Sequence, residues 1–189
     1  NLIANSRAGT LKACRRSHLS FEGGGQVSEL LIKEGQRVKA GDVLMRLRQE
    51  NQQARVLEAE AALAGARSSQ AQRCQQAQLD QRDYKRMAQL AERKLVAADR
   101  IDQSETRANL SQMICSASAA QIAQAEASLQ LQRALLDQTT LRAPFDGIVA
   151  EINGELGEFV TPSPPGIPTP PAVDLIDDEH ARAQAHGVA

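Results

Sequence analysis

The stretch 101–136 reads IDQSETRANLSQMICSASAAQIAQAEASLQLQRALL and carries an apolar or small residue at every seventh position. The members of this row are Ile101, Ala108, Cys115, Ile122, Leu129 and Leu136. A seven-residue period sustained over this length predicts an α-helix that supercoils with a partner helix. The residues three positions further along are mostly small, which would let the partner backbone approach closely. They are Ser104, Ser111, Ser118, Ala125 and Gln132.

The partner helix is predicted in the residues before this stretch, so that 48–138 forms one antiparallel coiled-coil hairpin. Its periodicity is weaker. One seven-residue row contains Leu63, Ala77, Tyr84 and Ala91, and a neighbouring row contains Cys74, Ala88 and Leu95. About forty residues per helix, at a rise of 1.5 Å each, would give a hairpin roughly 60 Å long.

The reversal between the helices is predicted near residues 95–97, although no Gly, Pro or Asn marks a turn there. Packing of Leu90, Leu95 and Ile101 would hold so short a link. Asp99 is the predicted N-cap of the second helix, because its carboxylate can accept from free backbone N–H groups and suits the positive end of the helix dipole.

The reversal places Cys74 and Cys115 at nearly equal distances from the tip. They could face each other across the helix seam as a disulfide, or both could be small buried hydrophobes, as free cysteines often are. The chain has three cysteines and three histidines, with no metal-ligand spacing among them. No metal site is therefore predicted.

An internal repeat flanks the predicted hairpin at a constant offset of 122 residues. Gly25, Val27, Glu29, Gly35 and Val38 recur as Gly147, Val149, Glu151, Gly157 and Val160. Each copy reads as a strand, a turn and a second strand, and glycine suits such turns because it adopts positive φ without steric cost. Two half-motifs of this kind predict one small β-sandwich with the hairpin inserted between its halves, an α+β fold.

The predicted domain boundaries follow from these patterns. Residues 1–47 contain an N-terminal strand segment and the first half-motif, 48–138 the hairpin, and 139–161 the second half-motif. Residues 162–171 are rich in proline, and either an extended linker or an ordered loop fits that composition. Residues 172–189 are expected to begin an incomplete β-barrel or to form a disordered tail.

Two carrier-like β half-motifs on either side of a coiled-coil hairpin resemble the periplasmic adaptor proteins, or membrane fusion proteins of the HlyD type. The resemblance covers residues 8–161 and is most specific at 25–42 and in LRAPFDG at 141–147. It implies a non-enzymatic adaptor that links an inner-membrane transporter of the ABC or RND class to an outer-membrane channel of the TolC type. It also implies a periplasmic, hexameric protein that is anchored to the inner membrane when full-length.

The family resemblance further implies a channel-contacting motif at the hairpin tip: Arg, Leu four residues later, and Ser seven residues after that. Arg86 and Leu90 match the first two positions, and Ala97 stands at the third. Together with Lys94, these residues are the predicted contacts with the channel. The alternative is that Arg86 is an ordinary solvated charge and Leu90 an ordinary seam residue.

Several other functions are disfavoured by the sequence. A net charge of −1 means that the chain lacks the excess of basic residues that is typical of nucleic-acid-binding proteins. No histidine lies in the hairpin or the half-motifs, and no nucleophile with a base partner can be named, so no catalytic site is predicted. The sequence contains no apolar stretch of the roughly 20 residues that cross a bilayer. The chain is therefore expected to be soluble or, as we favour, a fragment without its anchor.

Two alternatives to an adaptor stay open at this stage. The half-motifs are similar to lipoyl or biotinyl carrier domains, which display a modified lysine on the turn that joins their halves. Lys33 and Lys39 flank the strands, whereas the joining segment is some ninety residues of predicted helix, so no covalent cofactor is expected. A purely structural coiled-coil spacer is the other alternative.

Overall fold

The computed structural model describes residues 15–162, 166–167 and 169–177. Two long helices, α1 (Glu50–Glu92) and α2 (Ala98–Asp137), separate two groups of short strands. The strands are β1 (Arg16–Leu19), β2 (Gly25–Leu30), β3 (Arg37–Val38), β4 (Val43–Leu47), β5 (Thr140–Arg142), β6 (Gly147–Ile152), β7 (Phe159–Val160) and β8 (Val173–Asp177). This order confirms the predicted fold class, a helical hairpin inserted between two halves of a β-sandwich.

The chain divides into two compact units, residues 50–136 and the remainder. In the β unit, one sheet has the strand order β1-β8-β6-β3 and the other has the order β5-β4-β2-β7. Side chains from both sheets form a single buried core. Its members are Phe21, Val27, Ile32, Val38, Leu44, Met45, Leu47, Leu141, Ala143, Val149, Ala172, Val173 and Leu175.

The two half-motifs exchange strands. The short strand β3 of the first half pairs with β6 of the second, and β7 of the second half pairs with β2 of the first. Gly35 N donates to Val149 O at 2.7 Å, and the equivalent Gly157 N donates to Val27 O at 2.9 Å. Both glycines have positive φ, at 78° and 86°. The repeat therefore specifies two turns that each dock on the opposite half.

The segment after the proline-rich stretch belongs to the β unit. Strand β8 lies between β1 and β6 and pairs antiparallel with both. Val173 and Leu175 are fully buried, which explains why this strand joins the sandwich. Residues 172–189 were expected to begin an incomplete β-barrel or to form a disordered tail, and in this range Val173–Asp177 form a strand of the sandwich sheet. Residues 178–189 of that segment, and 1–14 of the predicted N-terminal segment, lie outside the described residues.

The helix seam follows a strict seven-residue period in α2. Both rows predicted from the sequence are the buried or half-buried ones, from Ile101 to Leu136 and from Ser104 to Gln132. In α1, the predicted row with Leu63 and Ala77 is also in the seam. The second row of α1 differs from the prediction and consists of Gln52, Ala59, Ala66, Arg73, Asp80 and Met87. This row was not predicted because its polar residues interrupt the apolar periodicity.

A charged residue is buried in each unit. Asp80 is in the hairpin seam, where Gln76 Nε2 donates to its Oδ1 at 3.0 Å. Asp174, on β8, accepts from Nε and from a terminal nitrogen of the Arg16 guanidinium, and this hydrogen bond and the carboxylate charge raise the pKa of Arg16. The second oxygen of Asp174 lies 3.6 Å from His18 Nδ1. These contacts attach the edge strand β1 to β8.

No helix in the described part of the chain combines the length and apolarity needed to span a bilayer.

Candidate functional site

The reversal of the hairpin is a helix C-cap of the Schellman type. Leu95 N donates to Leu90 O at 3.0 Å, and Lys94 N donates to Ala91 O at 2.9 Å. Lys94 has φ of 58°, the left-handed conformation that this motif requires and that glycine usually supplies. A lysine in this conformation gave no turn signal in the sequence. The reversal is thus held by backbone hydrogen bonds as well as by any apolar packing of Leu90 and Leu95.

Helix α2 begins at Ala98, so Ala97 occupies the N-cap position. Arg100 N donates to Ala97 O at 3.1 Å, in line with a helix that starts at this point. Asp99, the predicted N-cap, lies instead within the first turn. Its carboxylate is there placed to favour the helix through the dipole rather than as a cap. That prediction is therefore wrong by two residues.

The predicted channel contacts lie on the last turns of α1 and in the reversal. Lys94 and Ala97 are exposed, and Leu90 is half-buried. The Arg86 side chain is largely exposed, and its guanidinium lies 3.2 Å from Asp83 Oδ1. An exposed ion pair of this kind contributes little to stability, so Arg86 could exchange Asp83 for another carboxylate at small cost.

Leu95 was assigned to the seam from its spacing, but the structure leaves 65% of its surface exposed at the tip. The reason is the left-handed Lys94, which turns the chain away from the helical path before Leu95. This leucine is an apolar side chain among charged neighbours, since Arg93, Lys94 and Arg100 are all exposed. Leu95 was not among the predicted contacts with the channel.

Cys74 and Cys115 form a disulfide across the hairpin, with their Cα atoms 4.7 Å apart. This separation lies within the usual range for disulfides. The buried seam residues near the bond are Ala77, Ala108 and Ser118. The seam therefore has few large apolar side chains at this level. The apolar cluster of the hairpin contains Leu63 and Leu129. It lies nearer the end of the hairpin at which α1 begins and α2 ends.

Three seam serines also donate to backbone carbonyls within their own helix. Ser104 Oγ donates to Ile101 O, Ser111 Oγ to Arg107 O and Ser118 Oγ to Cys115 O. Each of these buried or half-buried hydroxyls is thereby satisfied without a partner on α1. Small side chains that turn back on their own helix permit the short Cα separation at the disulfide.

The joining segment of the two half-motifs is not a lysine-bearing turn. Helices α1 and α2 occupy that position, and Lys33 and Lys39 lie in the loops before and after the short strand β3. A carrier domain displays its lysine at the joining turn, so the structure does not fit that function. Among the described residues, no group of His, Cys, Asp and Glu side chains could hold a metal ion.

The sequence profile of the family described as "RND MFP, barrel-sandwich hybrid domain" matches residues 22–165. The chain belongs to this family of membrane fusion proteins. The predicted resemblance to membrane fusion proteins is thereby confirmed. Membrane fusion proteins are adaptors rather than enzymes, in agreement with the prediction that this chain is non-enzymatic.

Relatives of this membrane fusion protein are named for macrolide export or for multidrug resistance. The macrolide export protein MacA of Yersinia pestis is 29% identical over 152 residues, which are 80% of this chain and 41% of that protein. The multidrug resistance protein MdtN of Shigella flexneri is 27% identical over 194 residues, covering 82% of this chain and 55% of that protein. The chain thus spans about two fifths of the length of that MacA protein.

Solved structures share the fold. The crystal structure of MacA from Actinobacillus actinomycetemcomitans matches with a TM-score of 0.74 at 21% identity, over 87% of this chain and 52% of that chain. A putative efflux transporter from Bacteroides eggerthii matches with a TM-score of 0.55 at 20% identity, over 88% of this chain and 41% of that chain.

Proposed function

We propose that this membrane fusion protein is the hairpin-bearing part of a periplasmic adaptor. The adaptor connects an inner-membrane transporter of the ABC or RND class to an outer-membrane channel of the TolC type, and it carries out no chemical reaction itself. The observation that carries the proposal is the helical hairpin inserted between two strand-exchanged half-motifs, in a chain whose family is that of membrane fusion proteins. Small molecules are the proposed cargo, because the relatives are named for macrolide export and multidrug resistance.

The hairpin tip is the proposed docking end for the channel. Arg86, Leu90, Lys94 and Ala97 are the proposed contacts, and the exposure of Leu95 adds an apolar anchor between basic side chains. A central apolar side chain within a charged rim is the arrangement found at protein interfaces. The basic residues favour an acidic or carbonyl-rich surface on the channel.

The proposed location is the periplasm, with the full-length protein anchored to the inner membrane and assembled as a hexamer. The disulfide between Cys74 and Cys115 supports an oxidising compartment, because disulfides form and persist in the bacterial periplasm and are rare in the cytosol. The hexamer and the anchor rest on the family resemblance.

Site-specific photo-crosslinking in a Gram-negative host that expresses the full-length protein tests this proposal. A photoreactive residue at Gln89 or Lys94 is expected to crosslink to an outer-membrane channel. Arg86→Asp should abolish the crosslink, whereas the matched control Arg82→Asp, one turn earlier on α1 and also exposed, should retain it. Crosslinks only to soluble proteins, or equal crosslinking by both variants, would refute docking through the tip.

A further inference from the structure

The turns of the two half-motifs share a backbone arrangement but differ in their side chains. Gly35 and Gly157 both have positive φ, and each donates a backbone hydrogen bond to the opposite half. Turn 33–37 reads KEGQR, whereas turn 155–159 reads ELGEF. The formal charge changes from +1 to −2, and a phenylalanine stands where the first turn has an arginine. The shared backbone docking does not require this change of side chains.

Turn 155–159 exposes two large apolar side chains. Leu156 is 69% exposed and Phe159 is 66% exposed. The equivalent positions of turn 33–37 hold Glu34 and Arg37, which are residue types that usually face water. Neighbouring exposed apolar residues are a common sign of a binding surface. The side chains of turn 155–159 are therefore better suited to a ligand than to solvent.

A cavity of about 600 Å³ lies beside turn 155–159 in the β unit. Its walls come from the end of β6, the turn itself, β7 and the segment that leads to β8. Apolar and acidic side chains line it, among them Ile152, Phe159, Val160, Pro170, Glu155 and Glu158. Sites for small molecules typically have volumes of about 300–1,000 Å³ and combine apolar walls with a few polar groups. The cavity has both properties.

The turn beside the cavity is held in place by hydrogen bonds. Glu155 N donates to the Glu158 carboxylate at 2.9 Å, which orients that side chain. Val27 N donates to Glu158 O at 2.8 Å, and Gln26 Nε2 donates to Gly157 O at 2.9 Å. A ligand that enters the cavity therefore meets a preformed wall, so binding costs little ordering of the chain.

The sequence around the cavity is strongly acidic. Residues 143–181 contain eight Asp or Glu residues and no Lys or Arg. All 22 Lys and Arg residues of the chain lie outside this stretch, together with 15 of the 23 Asp and Glu residues. Among the described residues that line the cavity, none is basic. A concave surface that carries charge of one sign concentrates ligands of the opposite sign.

We propose that this cavity binds amphipathic organic cations. The apolar body of the ligand lies against Phe159 and Pro170, and its positive group faces Glu155 and Glu158. The face of the Phe159 ring attracts a cation as well as an apolar surface. The ligand is an organic cation rather than a metal ion, because no group of His, Cys, Asp and Glu among the described residues could hold a metal.

This inference goes beyond docking of the hairpin tip. It rests on the proposed function only in identifying the ligand as cargo, and it narrows the cargo from small molecules in general to cations with an apolar body. The binding step needs neither the transporter nor the channel. It can therefore be measured on the purified chain, separately from any docking in cells.

The test is fluorescence anisotropy of two dyes that share a xanthene ring system, cationic rhodamine 6G and anionic fluorescein. Rhodamine 6G is expected to bind with a dissociation constant of about 10–100 μM, and fluorescein at least about tenfold more weakly. Glu155→Gln/Glu158→Gln should weaken rhodamine binding about tenfold, while the amide at position 158 can still accept the turn hydrogen bond.

Two further variants separate the causes of binding. Phe159→Leu keeps an apolar side chain but removes the aromatic ring, and should weaken rhodamine binding about threefold. The control Glu92→Gln/Glu105→Gln removes the same charge from exposed positions of the hairpin, and should leave the affinity unchanged.

Each outcome decides the matter. Rhodamine binding that is weakened in the acidic double variant and in Phe159→Leu, and kept in the hairpin control, would establish the site. A dissociation constant above about 1 mM, equal binding of the two dyes, equal affinities of the two double variants, or an affinity unchanged by Phe159→Leu would overturn it. Channel crosslinking from Gln89 in cells reports separately on the proposed function, so failure of one proposal can be told from failure of the other.

Discussion

Removal of the hairpin disulfide is the most direct test of what holds the helices together. The double variant Cys74→Ala/Cys115→Ala breaks the bond and keeps small side chains at both positions. The bond closes a loop with a sequence separation of 41 residues, for which the loop-entropy model gives a stabilisation of about 4 kcal/mol. This value is an upper limit, because residual structure in the unfolded chain reduces the entropy that the bond removes.

The loss should be concentrated near the bond. Buried seam residues there are small or polar, such as Ala77, Asp80 and Ser118, so little apolar burial replaces the missing constraint. Urea denaturation followed by circular dichroism at 222 nm gives the free energy of unfolding. Amide hydrogen exchange locates the change, and residues 70–80 and 108–118 should lose more protection than strands β6 and β8.

The control for this experiment is chemical reduction. A reductant should destabilise the wild-type protein by the same amount as the double variant, and should leave the double variant unchanged. A difference in the free energy of unfolding below about 1 kcal/mol would refute the reasoning, since two ordinary surface substitutions can together account for a change of that size. Equal loss of protection at every amide would refute the localisation.

Three further predictions concern single residues. Lys94→Gly should raise the free energy of unfolding by about 1 kcal/mol in urea titrations, because Gly adopts the left-handed conformation without steric cost; a loss of stability would contradict the C-cap assignment. Ala97→Ser should add an N-cap hydroxyl to α2 and stabilise by about 1 kcal/mol, and an unchanged urea midpoint would argue against Ala97 as the cap. Gly147→Ala should destabilise the protein by about 1–3 kcal/mol, because its Cβ would lie 2.4 Å from Ile176 O. The control Gly65→Ala lies in open space on α1 and should not destabilise the protein. Equal melting temperatures for these two variants would contradict the prediction.

The sequence allowed prediction of the parts of the fold that repeat. Because the half-motifs share a constant offset, residues such as Val27 and Val149 were recognised as equivalent, and both are buried at equivalent positions of the exchanged sandwich. The seam of α2 was predicted in both rows because all its members except Gln132 are apolar or small. For the tip, Arg86 and Leu90 were identified through a family pattern, and their role is a proposal.

Features that depend on tertiary contacts escaped prediction. Asp80 and Arg73 are in the seam of α1 although polar residues rarely mark a buried row. Strand β8 is recruited by partners far away in sequence, β1 and β6, and no local pattern announces them. The left-handed conformation of Lys94 likewise could not be predicted from the sequence. The hydrogen bonds of the C-cap, and not the residue type, impose it.

The pairing of β4 with β5 also constrains how a hairpin can be inserted in this fold. Strands β4 and β5 are paired, with Arg46 opposite Thr140, so the chain must leave and re-enter the β unit at neighbouring points. An inserted segment therefore has to return on itself, and two antiparallel helices of nearly equal length, 43 and 40 residues, satisfy that condition. A change in hairpin length requires matched changes in both helices, in steps of seven residues that preserve the seam. The disulfide adds a fixed register to this arrangement, because it ties one position of each helix to the same height.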